Sequence, residues 1–408
     1  MKRRTFLATA AMGLNAGALA QSVPEAIQNL RPMTGGIQPI TREERRTRIE
    51  KARRLIRENR IGAIVCEGGA SMFYFTGTRW VAGDRLFAWV LPAKGEGAWV
   101  IPEADRERAV QAIHEGGDIR GWKENGDAWK TVIDAADGAE RIGIEEKVRF
   151  ATFDGLRQAA PTVDFTSADP VTVGCRVIKS PAEIALMQRA NDITIAAYKA
   201  AFAALREGMT NRELSANIAA AYRALGVHGD AMVIFGSYTA FPHGSVQPQH
   251  LREGDMVLID DGCSVEGYQS DITRTIVFGK PSARQREIWN LERKAQDAAL
   301  AAARPGATCE SVDAAARQVI TDAGFGPGYK VPGLPHRTGH GIGLEGHEWT
   351  NLVKGNTARL EPGMCFSNEP TIAIYGEFGV RLEDCMYITR SGARTFSKQS
   401  PAIDQPFG

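Results

Sequence analysis

Four acidic residues stand where metal chemistry is possible: Asp260, Asp271, Glu369 and Glu383. Asp260 ends the apolar run MVLI at 256–259, and Glu383 follows Val380 and Leu382. LREGDMVLIDDG aligns on LEPGMCFSNEPT at one constant offset, setting Leu251 on Leu360, Gly254 on Gly363 and Asp260 on Glu369. Each run predicts a strand ending in a carboxylate. Each is followed by a second strand carrying another, Asp271 in GYQSDITRTIVF and Glu383 in GVRLEDCMYIT. Two copies of one unit, related by a pseudo-twofold axis, would bring the four acids together. Ionised carboxylates packed away from water repel one another, and burial raises the cost of each charge. Two divalent cations compensate four negative charges, and a neutral imidazole completes such a ligand set.

The stretch PHRTGHGIGLEGHE, residues 335–348, is the source of candidate imidazoles. It holds His336, His340 and His347, three of only seven histidines in 408 residues. It also contains G-x-G-x-x-G at Gly341, Gly343 and Gly346. A dinucleotide loop follows an apolar strand, opens a helix and precedes an acid about 20 residues on. Here the preceding residues are GYKVPGLPHRTGH, rich in Pro and Gly. The glycines therefore read as a loop whose backbone closes on a buried ion, with one histidine reaching it.

Positioning such a site needs a repeated scaffold, and the chain has one. REGMTNRELSANIAAAYRALG (206–226) aligns without gaps on RPGATCESVDAAARQVITDAG (304–324), with Leu214, Ile218 and Tyr222 opposite Val312, Ala316 and Ile320. Each copy predicts a Thr-started amphipathic helix ending at a glycine. Before these lies a long helix from Ala182. Upstream, apolar runs such as LFAWVLP and GAWVIP alternate with polar helical stretches, which predicts an α/β domain at 41–175. RVIKSP at 176–181 is the expected linker, and 182–408 the second domain, α+β in class. The 408-residue length itself favours two cores.

The first twenty residues, MKRRTFLATAAMGLNAGALA, combine Lys2, Arg3 and Arg4 with a weakly apolar run and Ala18-Leu19-Ala20. This is the pattern of a cleaved signal peptide, and RRTFL is similar to a twin-arginine export signal. It predicts a periplasmic protein whose extension at 21–40 precedes the first domain. No later stretch reaches the about 18 apolar residues of a membrane span. With 49 Lys and Arg against 48 Asp and Glu, the charge balance points to no nucleic-acid or membrane partner. Six scattered cysteines, without C-x-x-C, read as isolated buried thiols.

FPHG, IDDGCSVEGYQSDITRT, RTGHGIGLEGHE, SNEP and VRLED, in that order, resemble the successive motifs of the M24 metallopeptidases, the pita-bread-fold enzymes. FYFTG at 73–77 and the α/β domain around it resemble the creatinase-type N-terminal domain of the prolidase and aminopeptidase P branch. The resemblance implies a pita-bread domain of two pseudo-symmetric repeats behind that domain. It implies the metal ligands Asp260, Asp271, His340, Glu369 and Glu383, in agreement with the repeat-derived acids. It also implies that His243 and His347 contact the substrate and the reacting carbonyl, and that His336 and Arg381 line the substrate pocket.

The implied chemistry is hydrolysis of the peptide bond before proline, in Xaa-Pro dipeptides or at the N-terminus of longer peptides. A hydroxide bridging two divalent ions is the expected nucleophile, with Glu369 handling its proton. Oxygen-rich ligation suits Mn2+ first, and also Co2+, Zn2+ or Fe2+. Thr350 and Thr371 depart from the family's usual Pro and Gly and flank the pocket. A creatinase-like amidinohydrolase, a non-peptide hydrolase or lyase, and an inactive peptide-binding relative are the competing readings; all five ligands are present, which disfavours the first and last. The resemblance further implies a homodimer or tetramer.

Overall fold

The computed structural model of the protein describes residues 23–114 and 116–407; the leader expected at 1–20 lies outside them. Among the described residues no helix is long and apolar enough to cross a membrane. All six cysteines are buried and free.

In the N-terminal half, α1 (Glu25–Gln28) leads to α2 (Arg42–Glu58), which starts at Thr41, whose hydroxyl accepts from the Glu44 amide. Six strands, β1 (Ala63–Glu67), β2 (Ala88–Pro92), β3 (Ala98–Pro102), β4 (Asp118–Trp122), β5 (Arg141–Ile144) and β6 (Asp164–Ser167), form one mixed sheet in the order β4-β3-β2-β1-β5-β6. Every residue of β1 is buried. Its side chains alternate between two cores, Ile64 and Cys66 in one, Ala63 and Val65 in the other, so its sequence reads as a continuous apolar run. Helices α3 (Ala70–Thr76), α4 (Arg106–Ala112), α5 (Ala128–Ala135), α6 (Phe150–Ala159) and α7 (Asp169–Arg176) pack around the sheet. Arg176 closes α7 and Pro181 opens α8 (Pro181–Phe202), so the connection is residues 177–180 and Arg176 belongs to a helix rather than to the linker.

The second half repeats. α8 and α10 (Ala283–Ala302) each start at a serine with a reciprocal capping box, Ser180 with Glu183 and Ser282 with Gln285. α9 (Asn211–Ala224) and α11 (Cys309–Asp322) start at Thr210 and Thr308 and are followed by Gly226 and Gly324 at φ of 90° and 88°. Thr210 bridges His250 and Thr308 bridges Arg359, equivalent points just ahead of equivalent strands. The matching apolar faces serve different cores: Leu214, Ile218 and Tyr222 lie in one, Val312, Ala316 and Ile320 in another. Burying a large aliphatic side chain contributes roughly 1.5–3 kcal/mol, which is why the two copies share apolar spacing and little else.

The strands of this half are β7 (Met232–Phe235), β8 (Met256–Asp260), β9 (Ser264–Val265), β10 (Tyr268–Gln269), β11 (Arg274–Val277), β12 (Gly339–Gly341), β13 (Glu348–Leu352), β14 (Cys365–Asn368), β15 (Thr371–Ile374), β16 (Phe378–Arg381), β17 (Asp384–Thr389) and β18 (Gly392–Thr395). They form the sheets β11-β8-β7 and β13-β12-β14-β17-β18, with β9/β10 and β15/β16 as separate pairs.

Candidate metal centre

Strand register brings the acids together. In β8 and β11 Ile259 stands opposite Arg274, and in β14 and β17 Asn368 stands opposite Asp384. One step further along each antiparallel pair, Asp260 falls beside Thr273 and Glu369 beside Glu383. The halves meet where the Glu383 N–H donates to the Thr273 carbonyl at 3.1 Å. The expected equivalence of Asp271 and Glu383 is therefore offset: the counterpart of Glu383 is Thr273, and Asp271 enters from two residues earlier, on the same face of the extended chain. Behind this seam Arg274 Nη2 meets Asp384 Oδ1 at 2.7 Å with both side chains fully buried. Arg274 Nη1 also donates to the carbonyls of Thr273 (3.0 Å) and Glu383 (2.8 Å), fixing the two second strands to each other.

Among the described residues, three overlapping groups of side chains have ligand atoms within 4.8 Å of one another: Asp260, Asp271 and Glu383; His340, Glu369 and Glu383; Asp271, His340 and His347. Glu383 is common to the first two, so these groups overlap at one carboxylate. His340 Nδ1 lies 3.1 Å from the Gly341 carbonyl and so carries the hydrogen. Its Nε2 then faces Glu369 Oε1 at 3.0 Å and Asp271 Oδ2 at 3.6 Å. A lone pair aimed at two carboxylates needs a proton or a cation between them. Glu383 Oε1 is buried without a hydrogen-bond partner. Oxygen-rich donors with one imidazole, an orphaned buried carboxylate oxygen and a lone pair facing acids fit a dinuclear divalent centre.

The electrostatics run the same way. Burial, together with the charges of Asp260 and Glu369, pushes the Asp271 carboxyl well above its ordinary range, and burial with Asp271, Glu369 and Asp260 does the same to Glu383. Asp260 is buried too, but Arg381 and Thr273 outweigh burial and hold it low. Burial opposes ionisation of Glu369 as well, yet a proton on His340 Nε2, donated to this carboxylate, holds it below its ordinary range. Thr273 Oγ1 lies 2.6 Å from Asp260 Oδ1 and 2.7 Å from Glu383 Oε2. One hydroxyl hydrogen serves one carboxylate, so the second contact is satisfied when Glu383 is protonated and donates. Thr273→Val will remove this bridge. Metal affinity, read by titration of the metal-free enzyme, will weaken on the order of tenfold to a hundredfold, while Thr273→Ser will retain it.

The remaining expected site residues divide. His347 packs edge-on against His340 with ring centroids 4.0 Å apart. Its outer edge is exposed, while partial burial and the neighbouring His340 lower its pKa to about 4. His243 is exposed, on the loop whose Pro242 carbonyl accepts from Arg381 Nη1 at 3.0 Å, and lines a cavity of about 240 Å3 with Asn211, Arg212 and Gln249. Clefts of about 520, 400 and 280 Å3 lie on the N-terminal half and contain no member of the acid cluster. Arg381, expected to line the substrate pocket, directs its guanidinium to Asp260 Oδ2, Thr273 Oγ1 and the Pro242 carbonyl, with 3% exposure. His336 is likewise held by protein at both ring nitrogens, by the Arg337 carbonyl at 2.6 Å and Thr371 Oγ1 at 3.0 Å. Thr371 thus has an internal partner, as does Thr350, whose hydroxyl accepts from Asn356 at 2.8 Å.

Sequence reasoning missed Thr273 and the buried Arg274–Asp384 pair. The signal for Thr273 was the two-residue spacing D-x-T from Asp271, which puts both side chains on one face of a strand. Nothing local marks Arg274 and Asp384, whose partners are 110 residues apart.

Fold and site define a metallohydrolase with a separate N-terminal α/β domain. Residues 185–390 match the model of metallopeptidase family M24, and residues 48–178 match the creatinase/prolidase N-terminal domain. The chain belongs to metallopeptidase family M24. It is 35% identical over 334 residues to an Xaa-Pro dipeptidase of Lactobacillus helveticus, covering 79% of this chain and 89% of the relative. Among solved structures it is similar to dipeptidase PepE from Mycobacterium ulcerans, with TM-score 0.82, 32% identity, and coverage of 88% of this chain and 97% of that one. The prolidase from Pyrococcus horikoshii matches with TM-score 0.77 and 29% identity over 86% of this chain and 98% of its own.

Proposed function

We propose that this metallopeptidase cleaves the peptide bond preceding proline in Xaa-Pro dipeptides, with Asp260, Asp271, His340, Glu369 and Glu383 holding two divalent ions, Mn2+ foremost. The observation that carries this reading is the overlap of the Asp260/Asp271 and His340/Glu369 groups at Glu383. The Xaa-Pro dipeptidases among its relatives support the substrate class. When bound, the two ions compensate the carboxylate charge and lower the pKa of the attacking water.

The chain's own residues do the rest. Glu369 accepts the proton of the attacking water and passes it towards the departing proline nitrogen. His347, beside His340, donates to the scissile carbonyl oxygen as negative charge develops there. His243 reaches the substrate from the loop tied down by Arg381. Arg381 itself orients Asp260 and that loop, and His336, held by Thr371, shapes the wall of the pocket.

The twin-arginine-like leader supports export to the periplasm, and the family resemblance supports a homodimer or tetramer. The test is turnover by the purified, Mn2+-loaded protein of an Xaa-Pro dipeptide against the same sequence extended by two residues. Release of free proline from the dipeptide, faster than cleavage of the tetrapeptide, is expected. A fully metal-loaded protein that turns over neither overturns the peptidase assignment.

A further inference from the structure

The buried ionic cluster between the two halves of the molecule has no part in the chemistry described so far. Glu348, the residue after His347, has a nearly buried carboxylate that gathers the loop around it. Its Oε1 accepts from the Leu344 amide at 2.9 Å and the Glu345 amide at 3.3 Å, and Oε2 from Lys179 Nζ at 3.0 Å. Arg176 Nη2 bridges Glu348 Oε1 and Glu345 Oε2, the latter at 2.8 Å. Arg176 Nη1 donates to Ser71 Oγ at 3.0 Å, and Ser71 donates to Glu145 Oε1 at 2.8 Å. A continuous set of hydrogen bonds therefore runs from the N-terminal sheet, through the last residue of α7, to the loop that sets His347 against His340.

Side-chain exposures of 8% for Arg176, 2% for Lys179 and 5% for Glu348 mean that this cluster is desolvated. Burial opposes its ionisation, yet Lys179 and Arg176 hold the Glu348 carboxyl down at about 2, so it is charged wherever the enzyme works. Buried ion pairs contribute little net stability compared with apolar packing, but their geometry is demanding. Only Arg has the planar fork that joins Ser71 on one side to two carboxylates on the other.

We propose that Arg176 is a positioning residue which the N-terminal domain supplies to the reaction, acting through Glu348 to set His347 over the scissile carbonyl. This rests on His347 being the carbonyl's hydrogen-bond donor, and a double-mutant cycle separates the two claims. A displacement of about 1 Å at such a donor costs on the order of a hundredfold in rate. Arg176→Met should therefore lower kcat for the dipeptide tenfold or more, with KM and metal content nearly unchanged. Arg176→Lys should recover part of the loss. In a His347→Ala background, Arg176→Met should cost less than twofold further, because the residue it positions is gone.

Equal losses in both backgrounds, or an unchanged kcat in the wild-type background, overturn the proposal. Should His347→Ala itself leave kcat intact, the underlying role of His347 fails instead. Should Arg176→Met not fold, the cycle is run with Glu348→Gln, which keeps size and shape, and with thermal melting recorded for every variant. A kcat loss that tracks only the fall in melting temperature, and persists in the His347→Ala background, marks a purely structural cluster and overturns the proposal.

Discussion

Glu383→Gln will lower kcat/KM for an Xaa-Pro dipeptide by about a thousandfold or more, equivalent to about 4 kcal/mol of transition-state stabilisation. The reason is geometric. Glu383 is the one side chain common to the group with Asp260 and Asp271 and the group with His340 and Glu369. Glutamine retains its shape and can donate an amide hydrogen to Thr273, but it brings no negative charge to either cation position. Bound metal, measured by elemental analysis, should fall from two ions per chain towards one. A glutamine variant with two ions and full turnover would remove Glu383 from the ligand set. Asp261, though adjacent to Asp260, is in none of the three groups, and its alanine variant should keep its metal.

Removing the metals will destabilise the protein at neutral pH, and the destabilisation will shrink as the pH falls. Asp271 and Glu383 have folded-state pKa values well above the values near 4 of the unfolded chain. A group raised in this way contributes stability that is fully present below its unfolded pKa and is lost as pH rises through its folded one. The metal-free protein therefore loses this contribution progressively above about pH 4. Asp260 and Glu369 are lowered and behave oppositely, losing their contribution as the pH falls. Metal binding requires all of these carboxylates deprotonated and His340 neutral at Nε2, so acid also weakens the metal-bound form. Both effects close the gap between metal-bound and metal-free proteins in acid. At a hundredfold excess over its dissociation constant, each ion stabilises the fold by about 2.7 kcal/mol. Melting temperatures with Mn2+ and with a chelator, compared between about pH 5 and 8, should diverge as pH rises. A gap that is constant, or that widens towards acid, contradicts the ligand assignment.

Much of this architecture was legible in the chain. Alternation of apolar runs with amphipathic stretches located the N-terminal α/β half, because strand and helix periodicities differ. The repeat located the second half, because equivalent helices need equivalent caps: Thr210 and Thr308 start helices of the same length, and a positive-φ glycine follows each. The repeat also placed Asp260 and Glu369 at equivalent strand ends. It could not assign Asp271 its position, since a shift of two residues keeps a side chain on the same face and leaves the apolar pattern unchanged.

The sequence by itself determined the two-domain organisation, the repeated scaffold, and the acids and histidine able to hold two cations, because local periodicity, capping and motif order encode these. Only the tertiary structure decided where the long polar side chains point. Arg381 turns to Asp260, His336 is held by Thr371, Thr273 bridges two acids, and Arg176 reaches across to the His347 loop. Such choices are set by which buried polar groups lack partners once distant segments meet, and a buried donor or acceptor left unpaired costs about 1–3 kcal/mol. That pressure acts mostly between residues far apart in the chain, where, apart from the D-x-T spacing of Asp271 and Thr273, the sequence carries no trace of it.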